Sequence, residues 1–240
     1  MERMERIVRE GYKGTGPGPI TPDGCAVELY ERIPLGPEVD IIQGAVPAGA
    51  TILELGCGVG RMTRPMAQRG FEVTAVDESP EMLERVADIA VRTVQSPIEL
   101  LDLGGERFDV VLLASFLIHA GDPKVQRGLL STCRRHVADD GCVLIQRQPE
   151  GWHERLPVEA PLGDGLVRVV SSVPVSAQVR QVHAEYHFPD AYWTQTYLAR
   201  PMTTPEFEQL LADAGLRVDA YLTADGVWVR AVPDDGSGSG

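Results

Sequence analysis

A glycine-rich turn directly after a short apolar strand constrains this 240-residue chain more than any other feature. The strand is Thr51 to Leu55 (TILEL), and the turn is GCGVG at positions 56–60. Glycine lacks a Cβ atom, so it lets the backbone turn tightly and lets a ligand approach the chain closely. The stretch Arg61 to Gln68 is predicted to form the helix that follows. Strand, turn and helix in this order favour a nucleotide-binding unit.

An acid stands where such a unit uses one. The second apolar strand, Glu72 to Val76, ends in Asp77, about twenty residues after the turn. In nucleotide-binding βαβ units, an acid at this distance accepts hydrogen bonds from a ribose. Position 61 is Arg, so the glycines do not complete the G-x-G-x-x-G pattern. The pattern therefore favours a nucleoside ligand without a pyrophosphate.

Strands and helices alternate through the middle of the chain, which predicts βαβ units and a parallel sheet. Strands are predicted at 52–55, 72–76, 91–94, 108–114 and 142–146, with a hairpin at 217–222 and 227–232. Helices are predicted at 27–33, 38–45, 80–90, 123–137 and 204–215, and Asp139-Asp140-Gly141 is predicted to be a turn. The predicted fold class is α/β: a doubly wound, mostly parallel seven-stranded sheet with a C-terminal antiparallel hairpin and an inserted antiparallel cover.

Five segments are expected along the chain. They are an N-terminal helical lid (1–46), a Rossmann-like core (47–148), an inserted substrate cover (149–203), the C-terminal part of the core sheet (204–233) and a tail or linker (234–240). Apolar residues at helical spacing predict an amphipathic helix in the first ten positions, and the glycines and prolines of 11–24 predict a loop. Alternating stretches at 166–171 and 178–188 predict the antiparallel strands of the cover.

Charge and composition limit the classes of partner that the chain is expected to bind. The formal net charge of −13 argues against sequence-independent binding to nucleic acid, which requires Lys and Arg to neutralise phosphates. The longest strongly apolar run, 110–118, is too short to span a bilayer. The four cysteines form no C-x-x-C pair, and no secretory signal is recognised. We therefore expect a cytoplasmic monomer or homodimer that binds a small molecule and neither nucleic acid nor a membrane.

The sequence ELGCGVGR followed by VTAVDESPEML resembles the first two cofactor motifs of class I S-adenosylmethionine (SAM)-dependent methyltransferases. The resemblance continues through FDVVLLASFLIH and GCVLIQRQP and covers roughly residues 46–148. It implies SAM as the methyl donor and S-adenosylhomocysteine as the product. The acidic charge and the aromatic residues of the insertion favour a small-molecule acceptor of aromatic or apolar character. No metal is expected, because His183 and His187 have no evident third ligand.

The resemblance assigns most of the turn and its surroundings to the cofactor. The glycine turn would face the methionine part, Asp77 would accept both ribose hydroxyls, and Glu78 and Met82 would flank the adenine. The expected cofactor-binding residues are Glu54, Gly56, Cys57, Gly58, Gly60, Arg61, Asp77, Glu78, Met82, Ser96, Ile98 and Ser115. The alternatives are that Glu78 only favours a helix N-terminus and that Met82 only fills the core.

His119 is the candidate general base, because it follows the fourth core strand closely and imidazole titrates near neutrality. Alternatively, it packs as a neutral group or caps the next turn. Tyr12, in the expected lid, is the second catalytic candidate. The expected substrate-binding residues are Phe116, His119, Trp152, His153, Tyr192 and Trp193. The aromatic residues of the insertion fit the small core of a cover sheet equally well.

Two other functions remain open at this stage. A nucleotide-cofactor oxidoreductase uses the same fold, but the missing third glycine weighs against it. A SAM-binding protein without catalysis is compatible with every motif. The sequence ASFL stands after the fourth strand in place of an Asn-Pro-Pro-Tyr-type motif, which weakens methylation of nucleobase or glutamine nitrogens.

Overall fold

The computed structural model describes residues 9–89 and 92–234. Its strands are β1 Lys13–Thr15, β2 Thr51–Leu55, β3 Glu72–Asp77, β4 Arg92–Gln95, β5 Phe108–Leu113, β6 Val137–Gln146, β7 Val158–Leu162, β8 Gly165–Pro174, β9 Arg180–His187, β10 Tyr192–Ala199, β11 Leu216–Tyr221 and β12 Trp228–Pro233. Its α-helices are α1 Val27–Arg32, α2 Glu38–Ala45, α3 Thr63–Gln68, α4 Pro80–Leu83, α5 Pro123–His136 and α6 Thr204–Asp213.

The larger sheet has seven strands in the order β11-β12-β6-β5-β2-β3-β4. The pairs among β2 to β6 are parallel, whereas β12 is antiparallel to both β6 and β11. The predicted fold class is therefore confirmed. The strand order reverses at β2, between β3 and β5, and such a reversal is where ligands bind in open α/β sheets.

Each face of this sheet is buried against its own helices. Leu53 and Val111 face a cluster with α5 and α6, which includes Leu129 and Phe207. Neighbouring positions such as Ile52 face the opposite cluster, which contains residues of α2 and α3. Because successive strand residues point to opposite faces, strands that are apolar throughout require helices on both sides.

The smaller sheet has five antiparallel strands in the order β1-β10-β9-β8-β7. Strand β1 lies in the segment predicted to be a loop, and it pairs Lys13 with Thr196. Gly14 lets the backbone around Gly24 pack closely on β1, because a Cβ there would overlap the carbonyl oxygen of Gly24. The N-terminal segment is therefore tied to the cover sheet by a strand, which corrects the prediction of a loop throughout residues 11–24.

Two element boundaries differ from the prediction. Helix α4 ends at Leu83, where the chain continues through tight turns such as Val86 N to Leu83 O. Strand β6 begins at Val137, so the predicted turn at 139–141 lies within a strand. Gly141 allows this irregular pairing, since a Cβ there would lie 2.8 Å from the carbonyl oxygen of Asp109.

Two predictions concern regions at the chain ends. The helix predicted for the first ten residues falls almost wholly at positions 1–8, outside the described residues, as do positions 235–240 of the predicted tail. Within the residues that the structure describes, no helix is both long and apolar enough to cross a bilayer.

Candidate cofactor and acceptor site

The glycine turn presents open backbone at the carboxyl edge of the sheet. Gly56, Gly58 and Gly60 have φ of +74°, +55° and +82°, values that side chains disfavour. A Cβ built on Gly58 would have only Met82 Sδ near it, at 3.9 Å. A Cβ on Gly56 would lie 2.8 Å from the Leu117 side chain. Gly56 is therefore needed for packing, whereas Gly58 leaves room for a ligand.

Asp77 links the turn to the end of β3. Its carboxylate accepts hydrogen bonds from Gly58 N at 2.8 Å and from Ser79 N at 2.9 Å. Burial raises the pKa of Asp77 to about 6, against the effect of these two bonds. A carboxylate has about four acceptor positions, so two backbone bonds leave capacity for two ligand hydroxyls.

Glu54 is a buried acid beneath the turn. Its Oε2 accepts a hydrogen bond from Thr63 Oγ1 at 2.5 Å, whereas Oε1 is buried without a partner. Burial raises the pKa of Glu54 to about 7. An unpaired carboxylate oxygen is costly inside a protein, and a cationic ligand beside it would reduce that cost. The open glycine backbone and this acid together fit a cofactor with a cationic amino acid end and a ribose.

Arg9 joins the N-terminal segment to the loops that follow β3 and β4. Its guanidinium donates to both carboxylate oxygens of Glu78, at 3.0 and 2.8 Å, and lies 3.1 Å from Glu99. All three side chains are mostly buried. The predicted adenine neighbour Glu78 is thus shared with the N-terminal segment, and its cofactor contact stays a prediction.

Other predicted cofactor contacts fall into two groups. Met82 and Ile98 are buried and border the turn, where Ile98 lies near Gly56 and Met82 near Gly58. Arg61 is paired with Glu38 of α2 at 2.7 Å, which counts against the predicted cofactor contact.

Two further predicted contacts, Ser96 and Cys57, hold the backbone at the end of β3 through their own N–H groups. Ser96 bonds Asp77 through its backbone N–H and Pro97 O through its hydroxyl. Cys57 is buried in the turn, and burial raises the pKa of its thiol well above the usual value.

A strained turn follows β5. Ser115 and Phe116 have φ of +54° and +61°, the only such values at non-glycine positions among the described residues. Each costs of order 1–3 kcal/mol unless the surroundings enforce it. Gln146 Oε1 accepts from Ser115 N at 2.8 Å, and Leu117 packs on the glycine turn. Strain of this kind clusters at functional sites, and here it leaves Phe116 exposed next to Leu117, the residue that packs on the glycine turn.

Both ring nitrogens of His119 form hydrogen bonds within the protein. Nδ1 donates to Arg200 O at 2.8 Å, and Nε2 accepts from Gln148 N at 2.9 Å. Burial lowers the pKa of His119 to about 4. The ring is therefore neutral and lacks a free nitrogen, which counts against the predicted general base and favours the alternative of a neutral structural group.

The predicted aromatic substrate contacts separate in space. Trp193 is fully buried in the core of the cover, where Nε1 donates to Pro17 O at 2.9 Å, so the alternative of a structural role is supported. Tyr192 lies on the opposite face of β10, against His187. Trp152, His153 and His119 line one cavity of about 360 Å³.

Tyr12 bridges the N-terminal segment and the cover. Its hydroxyl donates to Leu198 O at 3.1 Å and accepts from Gly121 N at 3.4 Å. Burial raises the pKa of Tyr12. These contacts tie the segment down, and the proposed catalytic role of Tyr12 stays a prediction.

Comparison with known proteins identifies the core. Residues 52–141 match the family model of a methyltransferase domain. This part of the chain is a class I methyltransferase domain. The matched segment contains the glycine turn, Asp77 and the strained turn after β5, and its sheet has the strand order described above.

Curated relatives match half or less of the chain. The ubiquinone biosynthesis O-methyltransferase of Caulobacter vibrioides is 34% identical over 105 residues, which cover 40% of each chain. The enzyme of that name in Methylobacterium sp. (strain 4-46) is 35% identical over 137 residues, covering 50% of this chain and 52% of the relative. The chain thus spans about half or less of the length of these relatives.

Solved structures match the methyltransferase domain together with its cover. An S-adenosylmethionine-dependent methyltransferase from Clostridium acetobutylicum superposes with a TM-score of 0.66 at 14% identity, covering 81% of this chain and 90% of the other. The SAM-bound amino pentose methyltransferase CalS10 from Micromonospora echinaspora gives 0.63 at 20% identity, covering 82% and 88%. At these identities the similarity shows the fold.

Sequence reasoning missed several residues beside the methyltransferase domain's site. Gln146 is the last residue of β6, so the rule that ligands lie at the carboxyl ends of strands could have found it. Arg9 carried no signal, because its partners Glu78 and Glu99 lie on other segments.

Proposed function

We propose that the protein is a SAM-dependent methyltransferase that transfers a methyl group to a small-molecule acceptor with an aromatic or apolar body and releases S-adenosylhomocysteine. The observation that carries the proposal is the Gly58 backbone, which is open to a ligand while its N–H is fixed by Asp77. The match to methyltransferase relatives supports it independently.

The chain's own groups would hold the cofactor by its two ends. Asp77 would accept the ribose hydroxyls, and the unpaired Oε1 of Glu54 would lie on the side of the amino acid ammonium. Bound SAM supplies a methyl group that its sulfonium already makes electrophilic. The protein therefore has to align the acceptor and exclude water more than it has to activate the donor.

The acceptor would be aligned by the elements above the carboxyl edge. The strained Ser115–Phe116 turn, fixed by Gln146, supplies an apolar wall near the glycine turn. The antiparallel cover and the N-terminal segment close the remaining side, with Tyr12 bridging them. Relatives named O-methyltransferases and fold neighbours that act on amino sugars support a small acceptor over a macromolecule.

Calorimetry tests this function directly. We expect wild-type protein to bind SAM and S-adenosylhomocysteine and to show no heat with NAD. Asp77→Asn keeps the shape and weakens the ribose contact, with an expected loss of roughly 1.5–3 kcal/mol for hydrogen bonds to a charged group. Binding of NAD in place of SAM, or unchanged affinity in Asp77→Asn, would overturn the proposal.

A further inference from the structure

A cavity of about 360 Å³ lies where the carboxyl edge of the core sheet meets the start of the cover. On the side of the sheet it is lined by His119, which follows β5, and by Gln148, which follows β6. On the side of the cover it is lined by Trp152 and His153, which belong to a short 3₁₀ turn before β7. Its volume is typical of pockets that bind small molecules. We call it the edge cavity.

Two residues that line the edge cavity each carry a buried polar atom without a hydrogen-bond partner among the residues that the structure describes. The atoms are Oε1 of Gln148 and Nε2 of His153. Each of these residues is only 6% exposed. Unpaired buried polar atoms are costly, and native structures contain few of them. A ligand in the edge cavity that bonds both atoms would remove this cost.

A chain of hydrogen bonds assigns the proton of the His153 ring. Arg180 Nε can only donate, and it bonds Ser172 Oγ at 2.7 Å. Ser172 Oγ lies 2.8 Å from His153 Nδ1, which is the acceptor for the hydroxyl's own proton. The ring proton is therefore placed on Nε2. Burial lowers the pKa of His153 to about 4, so the ring is neutral near pH 7. His153 Nε2 is thus a donor, whereas Gln148 Oε1 is an acceptor.

Charge around the edge cavity disfavours an anionic ligand. Glu150, Glu154 and Glu206 line it. Glu150 accepts a hydrogen bond from Thr204 N, and Glu206 accepts one from Thr203 N, so two of these carboxylates are engaged at the start of α6. A carboxylate ligand would meet like charge and could not donate to Gln148. An amidinium ligand has only donors, so it would leave the N–H of His153 unpaired.

A short turn connects the edge cavity to the cofactor half. A Cβ on Gly56 would lie 2.8 Å from the side chain of Leu117, which begins the 3₁₀ turn Leu117–His119. His119 ends this turn and accepts from Gln148 N at 2.9 Å. An acceptor that is held in the edge cavity by one end can therefore extend along this turn towards the glycine turn.

We propose that the edge cavity binds a neutral carboxamide or lactam group of the acceptor, whose N–H donates to Gln148 Oε1 and whose carbonyl accepts from His153 Nε2. An amide carries a donor and an acceptor side by side, as these two atoms require. The Trp152 ring, edge-on to His153 at 4.9 Å, provides an apolar wall for the body that carries the amide. The inference rests on the proposed function. It identifies the group that is recognised, and the methylated atom lies elsewhere on the acceptor.

Four aromatic probes of similar shape test which group is recognised: benzamide, acetophenone, benzoate and benzamidine. Each is titrated with and without S-adenosylhomocysteine, and the NMR signals of the three tryptophan indole N–H groups report binding. Benzamide should shift the Trp152 signal and bind at least about tenfold more tightly than the other three probes, because each of those leaves one buried atom unpaired. Trp193 and Trp228 lie in other buried clusters, and their signals should not move.

Several results would overturn the proposal. They are absence of benzamide binding, binding without a shift of the Trp152 signal, displacement of S-adenosylhomocysteine by benzamide, and equal or tighter binding of any other probe. Failure to bind S-adenosylhomocysteine overturns the proposed function instead, and the comparison of the four probes still stands.

Variants separate the two hydrogen bonds. Gln148→Leu should weaken benzamide at least about fivefold and change acetophenone less than about twofold, since acetophenone has no N–H. His153→Phe keeps a ring and removes the donor, so it should weaken both probes at least about fivefold. Gln181→Leu is the matched control, because residue 181 of β9 points away from the face of the buried Val182. Equal effects of Gln148→Leu on both probes, or no effect of His153→Phe, would contradict the proposal. Melting temperature and S-adenosylhomocysteine affinity establish that each variant is folded.

Discussion

The two halves of the site are built in different ways. The cofactor half consists of the ends of neighbouring strands, and its key contact joins Gly58 to Asp77 through backbone N–H. The acceptor half that we propose consists of the cover and the N-terminal segment, which are joined by contacts between distant residues such as Gln195 and Cys25, 170 positions apart. The first half depends on backbone conformation and the second on side-chain packing. Substitutions should therefore affect the halves separately.

The largest effect is expected at Gly58, where a methyl group would occupy the ligand's space. Gly58→Ala should weaken S-adenosylhomocysteine binding by at least about a hundredfold, and the positive φ should cost about 1–2 kcal/mol of stability. Gly104→Ala is the matched control, with φ of +65° and nothing near the added Cβ. It should lose similar stability and no affinity. Calorimetry giving wild-type affinity for Gly58→Ala would mean that the ligand is not on this turn.

His119 should behave as a structural residue that braces the acceptor half. His119→Ala removes two buried hydrogen bonds to backbone and a packed ring, so the free energy of unfolding should fall by about 2–4 kcal/mol. The partly exposed His183 on the cover serves as a control, and His183→Ala should cost less than about 1 kcal/mol. Denaturant unfolding measures both. The general-base role would be restored by two results together: the stability of His119→Ala is unchanged, and its turnover no longer depends on a group that titrates near neutrality.

The two buried acids give the cofactor half a pH signature. The folded-state pKa of Glu54 is raised from 4.5 to about 7, and that of Asp77 from 3.8 to about 6. An acid whose pKa is raised on folding binds its proton more tightly in the folded state. The free energy of unfolding is therefore higher at low pH and falls as pH rises through about 4 to 7. The free energy of unfolding of wild type should fall between pH 5 and pH 8. Glu54→Gln should make this fall smaller by roughly 2 kcal/mol, and Asp77→Asn should make it smaller by roughly 1 kcal/mol.

Denaturant unfolding of the ligand-free protein at both pH values checks the signature. The comparison is between each variant and wild type, because other groups titrate in the same range. Variants whose stability changes with pH as steeply as wild type would show that these acids are not desolvated.

The smallest effect is expected at the strained turn between the halves. Gln146→Leu removes the acceptor for Ser115 N–H, so hydrogen exchange at that amide should accelerate about tenfold, as for loss of one hydrogen bond. Gln146→Glu keeps an acceptor oxygen and should exchange like wild type. Equal exchange in Gln146→Leu and wild type would show that Gln146 does not hold the turn.

The contrast also explains what the sequence could predict. The turn, Asp77 and the core strands follow local patterns, because glycine spacing and apolar runs report backbone structure directly. The role of His119 could not be read this way, since its partners Gln148 and Arg200 lie 29 and 81 positions away.

The features that the sequence did not predict depend on strand pairing between distant segments. Strand β1 reads as a glycine-rich loop and becomes a strand only by pairing with β10. Tyr30 of α1 likewise packs against the core of the cover, a contact between distant segments that has no local signature. The sequence does not show to which face of the cover sheet each aromatic side chain of the insertion points. Trp193 and Tyr192, for example, point to opposite faces of one strand.

A crystal structure of the protein with S-adenosylhomocysteine tests the central claim most directly. The two-part account predicts the ribose hydroxyls within hydrogen-bond distance of Asp77, the backbone of Gly58 against the ligand, and the sulfur facing the Ser115–Phe116 turn. A ligand whose ribose lies away from Asp77, or whose sulfur faces away from that turn, would contradict it.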